Sequence, residues 1–386
     1  MATKSDKSKT AVTHKNLLPF LRIGGVGLAA MVLIYVIASA NLFPVVVKGD
    51  MAGTATTTPV VATLDKQAYD VKMLAIANAP TSTWPAYLGA STSDAGLSLP
   101  SFILSSTTTT KKLLWPVHDL PYPLPGALLP ANRIVAYYGN FYSTGMGVLG
   151  QYPPDVMIKK LASTTAAWAA ADPTTPVIPA IDYIAVTAQG SPGADGKYRA
   201  RMPDSQIDKA LVLADQVHGI VILDIQVGLS NVQTEIPLLE KYLSMPNVHL
   251  AIDPEFAMHN GAKPGTVVGS FSASDINWTA NYLAGLVTKN NLPPKILIVH
   301  RFTQAMVKNY QDITPLPQVQ VVMDMDGWGS PIRKQGTYQA YEQSNPVQFT
   351  GFKLFYKNDL KPPSTAMMTP SQVLKLTPQP VFIQYQ

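Results

Sequence analysis

The chain has 386 residues, of which 47% are hydrophobic, 14% are charged and none is cysteine. This apolar content is enough for a large core, and the absence of cysteine excludes a disulfide framework, a thiol nucleophile and cysteine-ligated zinc. The formal net charge of +5 comes mainly from the first 22 residues, which hold five basic residues and one acid. We therefore expect no nucleic-acid partner, because the rest of the chain lacks a basic cluster.

Residues 23–47 follow this basic tail (residues 1–22) as an apolar run without a charge. A helix that rises about 1.5 Å per residue crosses a hydrocarbon core of about 30 Å with a run of this length. The basic residues before the run place the N-terminus inside the cell and the remainder outside. We expect a single-pass signal anchor in the cell membrane. The alternative is a secreted protein cleaved at Ala40, because Ala38-Ser39-Ala40 resembles a signal-peptidase site.

Residues 48–132 are poor in charge and rich in Thr, Ser, Ala and Pro. Such a segment buries too little apolar surface to offset its conformational entropy, so we predict a low-complexity linker. Residues 64–79 are an exception, because their apolar residues recur at helical spacing and predict a short helix docked on the main domain. The proline-rich residues 115–130 predict extended chain that leads into that domain.

Residues 133–386 alternate between apolar runs and longer amphipathic segments. The apolar runs predict eight strands, at residues 134–138, 177–186, 219–227, 248–253, 296–300, 319–325, 349–356 and 381–385. The segments between them predict seven helices, at residues 154–171, 205–217, 234–243, 274–290, 303–310, 332–343 and 371–376.

This alternation, with strands that are apolar on both faces, predicts parallel strands joined by right-handed crossovers. Eight strands in about 250 residues is the size of a (β/α)8 TIM barrel. No helix follows the last strand, and we expect residues 64–79 to cover that gap. The alternative is an open doubly wound sheet, which normally has a Gly-x-Gly-x-x-Gly turn after its first strand. The glycines of residues 139–150 do not match that turn.

In a TIM barrel the active site lies at the carboxyl ends of the strands. Six carboxylates fall at these predicted ends, namely Asp182, Asp224, Asp253, Glu255, Asp324 and Asp326. Other polar and aromatic residues fall there too: Gln226, His300, Arg301, Trp328, Tyr356 and Tyr385. Each residue alone also has a structural explanation, such as Asp253 capping the turn that Pro254 begins. Their convergence indicates a function, because grouped carboxylates without partners destabilise a fold.

Carboxylates beside aromatic rings are typical of sugar sites, where C–H faces stack on the rings and hydroxyls bind the acids. Glycoside cleavage needs a protonated carboxylic acid and a second group that stabilises an oxocarbenium-like transition state. Crowding among carboxylates raises the pKa of one member of the group. We therefore predict that Glu255 is the general acid, and that Asp326 is its partner.

The tripeptide Asp253-Pro254-Glu255 resembles the end of the Asp-x-Asp-x-Glu signature of chitinase-like family 18 glycoside hydrolases. Lysozyme-type TIM-barrel enzymes have a similar Asp-x-Glu pair. The resemblance implies that Glu255 is the acid and that Asp253 orients the acetamido group of the substrate, which acts as the nucleophile. The chain departs from the family where Ala251 replaces the first Asp, where the sixth strand lacks a Tyr and where the last strand lacks a Trp. As a whole, residues 133–386 resemble an exported bacterial family.

Together these observations predict a membrane-tethered glycosidase that acts on a cell-envelope or extracellular polysaccharide. Its catalytic residues would be Glu255, Asp253 and Asp326, and its substrate-binding residues Asp182, Asp224, Gln226, His300, Arg301, Asp324, Trp328, Tyr356 and Tyr385. We predict no cofactor and no metal. One alternative is a surface glycan-binding protein without turnover. Another is a metal-dependent hydrolase that holds Mg²⁺ or Ca²⁺ through carboxylates, although no His-x-His or His-Glu-x-x-His spacing supports it.

Overall fold

The computed structural model describes residues 63–77 and 114–386. The predicted basic tail at residues 1–22, the predicted signal anchor at residues 23–47 and the alternative cleavage site at Ala40 lie outside the described residues. Much of the predicted linker lies outside them as well. Within the two described ranges, no helix is both long enough and apolar enough to cross a membrane.

The described residues form strands at the positions of all eight predicted strands. The strands are β1 (Arg133–Gly139), β2 (Val177–Ala188), β3 (Arg199–Arg201), β4 (Ile220–Ile225), β5 (Val248–Ile252), β6 (Phe271–Ser272), β7 (Lys295–Arg301), β8 (Val307–Lys308), β9 (Val319–Met325), β10 (Phe349–Leu354) and β11 (Phe382–Tyr385). Eight of them pair in parallel in the order β1, β2, β4, β5, β7, β9, β10, β11. Ile134 of β1 lies opposite Phe382 of β11, so the sheet closes. The predicted barrel is confirmed, and an open sheet is excluded.

Helices follow most of the barrel strands. One helix, α1 (Lys66–Ile76), precedes the first strand. The others are α2 (Val148–Gln151), α3 (Pro154–Ala171), α4 (Asp204–Asp215), α5 (Val232–Glu235), α6 (Glu240–Leu243), α7 (Ala273–Asn290), α8 (Pro331–Tyr338) and α9 (Pro370–Val373). Ser272 and Asp275 form a capping box that begins α7. Because proline has no N–H to donate, it suits the first turn of α3, which starts at Pro154.

Two of the predicted helices differ from the structure. Residues 303–310 do not form an α-helix. Gln304–Met306 forms a 3-10 turn, and then Val307 of β8 pairs with Phe271 of β6, so the backbone bonds there belong to a small sheet. Residues 234–243 are broken into α5, a 3-10 turn (Ile236–Leu239) and α6. Pro237 lies inside that turn and cannot donate the hydrogen bond that a continuous α-helix would need.

The closed sheet separates two apolar clusters, since successive strand residues face opposite sides. Val135, Val221 and Leu250 face outward into the layer of helices, where they belong to the same cluster as Leu161 and Leu283. The inner cluster fills the amino-terminal half of the barrel with the side chains of Ile134, Ala136, Ile222, Ile298 and Val322, among others. Burial on both faces explains why the barrel strands are almost uninterrupted apolar runs.

The predicted helix at residues 64–79 forms as α1, but it does not cover the gap beside the last strand. Met73 and Ile76 pack against the inner cluster, so α1 closes the amino-terminal end of the barrel. Lys72 Nζ donates a hydrogen bond of 2.7 Å to Thr175 Oγ1, just before β2. Beside the last strand, Trp168 of α3 donates from Nε1 to Tyr385 Oη at 2.9 Å. The buried indole of Trp168 therefore packs beside the last strand, on the side where an eighth helix would otherwise lie.

Residues 114–132 contain neither helix nor strand and pack beside α1. The backbone N–H of Leu129 donates to Gln320 Oε1 at 3.0 Å, and Gln320 Nε2 donates back to the carbonyl of Leu129 at 2.6 Å. Leu129 itself is buried against the inner cluster. This end of the barrel is therefore covered by protein, and the carboxyl ends of the strands lie at the other end.

Candidate active site

A cavity of 470 Å³ lies at the carboxyl end of the barrel. Three carboxylates line it, from Asp253 and Glu255 after β5 and from Asp326 after β9. The same cavity is lined by polar and basic residues (Gln226, Arg333, Lys353) and by aromatic residues (Tyr138, Phe256, Phe302, Trp328, Phe355). Acids, cations and rings therefore face one opening, although they are spread over more than two hundred positions of the sequence.

The turn after β5 places Glu255. Asp253 Oδ1 accepts a hydrogen bond of 3.0 Å from the backbone N–H of Glu255, within a 3-10 turn at Pro254–Phe256. The other oxygen of Asp253 accepts from Gln226 Nε2 at 3.3 Å. Asp253 therefore caps the turn, as the structural explanation predicts. Since β5 ends at Ile252, Asp253 and Glu255 reach the cavity through this turn, and not through strand alternation.

The carboxyl group of Glu255 has no hydrogen bond or ion pair with any other described residue. Only its backbone is engaged, because its N–H donates to Asp253 Oδ1 and its carbonyl accepts from the N–H of Gly269 at 2.7 Å. Burial raises the pKa of Glu255 to about 7, and the charge of Asp326 adds to this rise. Lys353 and His300 partly offset the increase in pKa. A large fraction of Glu255 is therefore protonated near neutral pH, which is the state that a general acid requires.

His300 lies directly beneath the cavity and is fully buried among acids. Its Nε2 is 2.9 Å from Asp224 Oδ2, and its Nδ1 is 3.2 Å from Asp324 Oδ2 and 3.5 Å from Asp326 Oδ2. Burial alone lowers the pKa of His300, but the neighbouring carboxylates, Asp224 first, outweigh it and the pKa is raised well above its usual value. The neighbouring carboxylates therefore favour the charged form of His300.

Lys353 holds Asp326 from the other side. Its Nζ is 3.1 Å from Asp326 Oδ1 and 3.9 Å from the centre of the Tyr138 ring. Burial lowers the pKa of Lys353, but Asp326 and the other carboxylates raise it more, so its pKa lies above the usual value. Asp326 therefore lies between two cations, whereas Glu255 has none in contact.

Two further buried carboxylates complete the layer beneath the cavity. Gln384 Nε2 donates to Asp182 Oδ2 at 2.6 Å, and burial followed by the charge of Asp224 raises the pKa of Asp182 well above its usual value. Burial also raises the pKa of Asp324. Asp324 fits into the barrel because Gly351 lies opposite it on β10. A Cβ atom at position 351 would collide with Asp324 Oδ1.

The predicted site residues therefore separate into three groups. Those that line the cavity are Asp253, Glu255, Asp326, Gln226 and Trp328. Those that lie buried beneath it, in contact with one another or with Asp326, are Asp182, Asp224, His300 and Asp324. Those that the structure does not bring to the cavity are Arg301, Tyr356 and Tyr385.

The placement of these last three residues corrects the prediction. Arg301 faces outward, where its Nη1 donates to the carbonyl of Tyr341 at 3.1 Å. Tyr385 accepts from Trp168 in the helical layer, and Tyr356 stacks on Tyr385 with ring centres 5.2 Å apart. The physical reason for Arg301 and Tyr385 is strand alternation, because the residues before them, His300 and Gln384, already face inward.

The sequence places Lys353 and Tyr138 near predicted strand ends without giving either a role in the site, and it does not identify Arg333. A signal exists for Lys353, because strand alternation places it on the same face as Phe349 and Gly351, and a buried lysine in an apolar strand requires a partner. Arg333 gives no comparable signal, since it is one of two adjacent basic residues on an amphipathic helix. Among the described residues, no group of three or more His, Asp or Glu side chains is arranged to hold a metal ion.

No protein-family model and no curated protein matches the chain. Several solved structures are similar to it at low sequence identity, among them three glycoside hydrolases. A GH5 xyloglucan-specific endo-beta-1,4-glucanase from a metagenomic library, solved with cellotriose, is 11% identical, with a TM-score of 0.31, over 59% of this chain and 77% of that chain. A GH5-4 broad-specificity endoglucanase from an uncultured bacterium is 8% identical, with a TM-score of 0.34, over 60% and 76%.

A GH18 chitinase from Pseudoalteromonas aurantia is 11% identical, with a TM-score of 0.26, over 66% of this chain and 79% of that chain. The chain thus has a weak resemblance to TIM-barrel glycoside hydrolases. Likenesses this distant carry no argument about activity. The barrel itself rests on its own strand pairing, above all on the contact of β11 with β1.

Proposed function

We propose that the protein hydrolyses glycosidic bonds of a cell-envelope or extracellular polysaccharide, with Glu255 as the general acid. The observation that carries this proposal is the state of Glu255. It lines the cavity, it has no side-chain partner among the described residues, and its pKa is raised to about 7. A protonated acid that faces a cavity beside a carboxylate held by cations is the pair that glycoside cleavage requires.

In the proposed reaction Glu255 gives its proton to the glycosidic oxygen, and the electron pair of the breaking C–O bond leaves with that oxygen. The positive charge that develops on the sugar ring is stabilised by the carboxylate of Asp326. Lys353, 3.1 Å from Asp326, and His300, 3.5 Å from it, hold this carboxylate in place. Water then adds to the ring, and its proton restores Glu255.

Asp253 has a supporting role in this proposal. Burial first, and then the charges of Asp224 and Glu255, raise its pKa well above the usual value, although His300 opposes them. These surroundings favour the neutral form of the carboxyl. By resemblance to family 18 enzymes it would orient an acetamido group, and its hydrogen bond to the backbone of Glu255 sets the position of the acid.

The test is Glu255→Gln, which keeps the shape of the side chain but removes its proton. General acid catalysis contributes about 10²- to 10⁴-fold, so we expect the release of reducing ends from peptidoglycan or chitin fragments to fall by at least about 100-fold. Binding of the same fragments, measured by calorimetry, should change less than about threefold. Glu240→Gln is the matched control, because Glu240 lies on the surface in a pair with Lys289. Hydrolysis by Glu255→Gln at the wild-type rate would disprove the role of Glu255.

A non-catalytic glycan-binding protein is the second candidate. The observation that favours it is that Asp253 and Asp326 are already engaged, by Gln226 and by Lys353. Such pairing gives a rigid polar wall for sugar hydroxyls without requiring turnover. If the wild-type protein binds these fragments and releases no reducing ends, this reading replaces the enzyme.

We also propose that the barrel lies outside the cell, tethered by residues 23–47. The support is the sequence: a basic tail, then an apolar run long enough to span a bilayer. A tag at Gln386 should be removed by protease added to intact cells, and the protein should stay in the membrane fraction. Recovery of a soluble protein that begins after Ala40 would instead establish secretion.

A further inference from the structure

One wall of the cavity carries the exposed ring of Trp328 with Arg333 beside it, and Lys361 lies against the same ring just outside the cavity lining. Trp328 is 44% exposed, in the loop after β9. The guanidinium of Arg333 and the Nζ of Lys361 each lie 5.3 Å from the centre of its ring. Both basic side chains are exposed, and Arg333 lines the same cavity as Glu255. An aromatic ring with adjacent cations combines a stacking surface for a sugar with positive charge.

The cations on this wall have no acid of their own. Residues 326–341 and 355–369 contain only two acidic residues, Asp326 and Asp359. Asp326 is paired with Lys353 at 3.1 Å, and Asp359 is paired with Lys334 at 2.8 Å. Arg333 and Lys361 therefore form no ion pair with any acidic residue that the structure describes. The charge on this wall is available to a ligand.

A buried ion pair fixes these residues relative to one another. Asp359 is fully buried and accepts hydrogen bonds from the backbone N–H groups of Gly329 at 3.0 Å and Phe355 at 2.9 Å. Lys334 Nζ, besides binding Asp359, donates to the carbonyl of Lys353 at 2.6 Å. The loop that carries Trp328, the start of α8 and the loop that carries Lys361 are thus joined at one point.

Gly329 allows Arg333 to lie along the loop. Its φ is +140°, and a Cβ atom there would stand 2.8 Å from Arg333 Cδ. Any other residue there would force the arginine side chain to shift. The position of Arg333 is therefore specified by a backbone feature as well as by the ring.

We propose that the cavity accepts an acidic polysaccharide, in which a carboxylate-bearing sugar such as a uronic acid is held by Arg333 and Lys361 beside Trp328. The planar guanidinium of arginine matches the geometry of a carboxylate. The inference rests on the proposed function in that it places a polysaccharide in the cavity. It adds the substrate class, because a neutral glycan would leave both cations without a partner.

The test uses the full chain in detergent micelles with Glu255→Gln, so that no turnover interferes. The probe is an oligosaccharide of alternating glucuronic acid and N-acetylglucosamine, and its control is the same oligosaccharide with its carboxylates reduced to alcohols. Calorimetry at low salt should show at least tenfold tighter binding of the charged form, with the difference shrinking as salt is added. Adding Arg333→Gln and Lys361→Gln should bring the two affinities within about twofold.

Lys289→Gln is the matched control, because Lys289 is an exposed lysine near the end of α7, at the opposite end of the barrel. It should keep the preference. Equal binding of the charged and reduced probes by the parent protein, or a preference that survives the double substitution, would overturn the inference. This test and the test of the proposed function can fail separately. A preference for the charged probe without any release of reducing ends would disprove only the hydrolase activity. Hydrolysis without a preference for charge would disprove only the acidic substrate.

Discussion

Glu255 and Asp326 face the same cavity but differ in their surroundings. Glu255 is partly buried and has no cation in contact, so the protonated form is favoured. Asp326 contacts Lys353 at 3.1 Å and approaches His300 at 3.5 Å, so its charge is compensated. The two side chains carry the same functional group. Their different neighbours therefore decide that, in the proposed reaction, Glu255 is the acid and Asp326 is the carboxylate that stabilises positive charge.

The pH dependence of activity should report the proton on Glu255. Because the protonated form is active, kcat/KM should be constant below the pKa of about 7 and should fall as pH rises through it. Asp326 raises this pKa and His300 lowers it. Asp326→Asn should therefore move the falling limb to lower pH, and His300→Gln should move it to higher pH. The measurement is kcat/KM from pH 5 to 9, using the residual rates of the variants.

The two substitutions should shift the pH profile of kcat/KM in opposite directions. The test therefore distinguishes an electrostatic effect on Glu255 from a general loss of activity. If His300 had only a structural role, His300→Gln would reduce kcat/KM without shifting the pH at which kcat/KM falls. Thermal unfolding of each variant shows whether it is folded. Shifts in the same direction for both variants would contradict the arrangement of charges around Glu255.

At the scale of elements, the contact between β9 and β10 sets the room available for the buried acids. Gly351 lies opposite Asp324, and no larger residue fits without moving that carboxylate. Gly351→Ala should destabilise the fold by about 1 to 3 kcal/mol, as overpacking does. Gly285→Ala is the matched control, because position 285 lies inside α7 with no atom within 4 Å of an added Cβ. Alanine there should stabilise the helix by up to about 1 kcal/mol.

Urea unfolding of the full chain measures both changes. Equal effects of Gly351→Ala and Gly285→Ala would show that the space beside Asp324 is not limiting. A loss of stability confined to Gly351→Ala would show that the register between β9 and β10 is part of the construction of the site.

The elements also show where sequence patterns hold and where they do not. Strands of a parallel barrel are buried on both faces, so the apolar runs marked all eight of them. Residues 303–310 have a pattern that fits a helix, but the pairing of β8 with β6 decides their conformation. That pairing joins Val307 to Phe271, which are distant in sequence, so no local pattern reports it.

At the scale of the whole molecule, burying so many acids makes stability depend on pH. Burial raises the pKa of Glu342 to about 8 and that of Glu255 to about 7, while the pKa values of Asp182 and Asp253 are raised well above normal. A raised pKa in the folded state means that stability is greatest below the pKa of the unfolded chain, near 4, and is lost as pH rises through the folded value. We expect Tm to be higher at pH 5 than at pH 8.

Groups with lowered pKa values define the window of this measurement. Burial lowers the pKa of His249 to about 3, so His249 opposes the trend at the acidic end, below its usual pKa. Although burial opposes it, hydrogen bonds from Thr174, Thr175 and Arg133 lower the pKa of Asp172, so its contribution is lost only at pH values below about 4. Burial lowers the pKa of Lys295 to about 8, which affects stability above that pH. Calorimetric Tm values between pH 5 and 8 are the check, and Glu342→Gln should flatten the slope. A Tm that rises over this interval would contradict the raised pKa values.

By itself, the sequence determined the barrel and the end at which the acids gather. The period of its apolar residues and the number of its strands are local properties, and parallel strands bring their carboxyl ends to one side. Only the tertiary structure decided how deeply each carboxylate is buried and which charged side chains surround it. Asp253, Glu255 and Asp326 line the cavity while Asp182, Asp224 and Asp324 lie beneath it, and Lys353 reaches Asp326 from another strand. The reason is that charge depends on neighbours in space, and the closed barrel brings together residues that the chain keeps far apart.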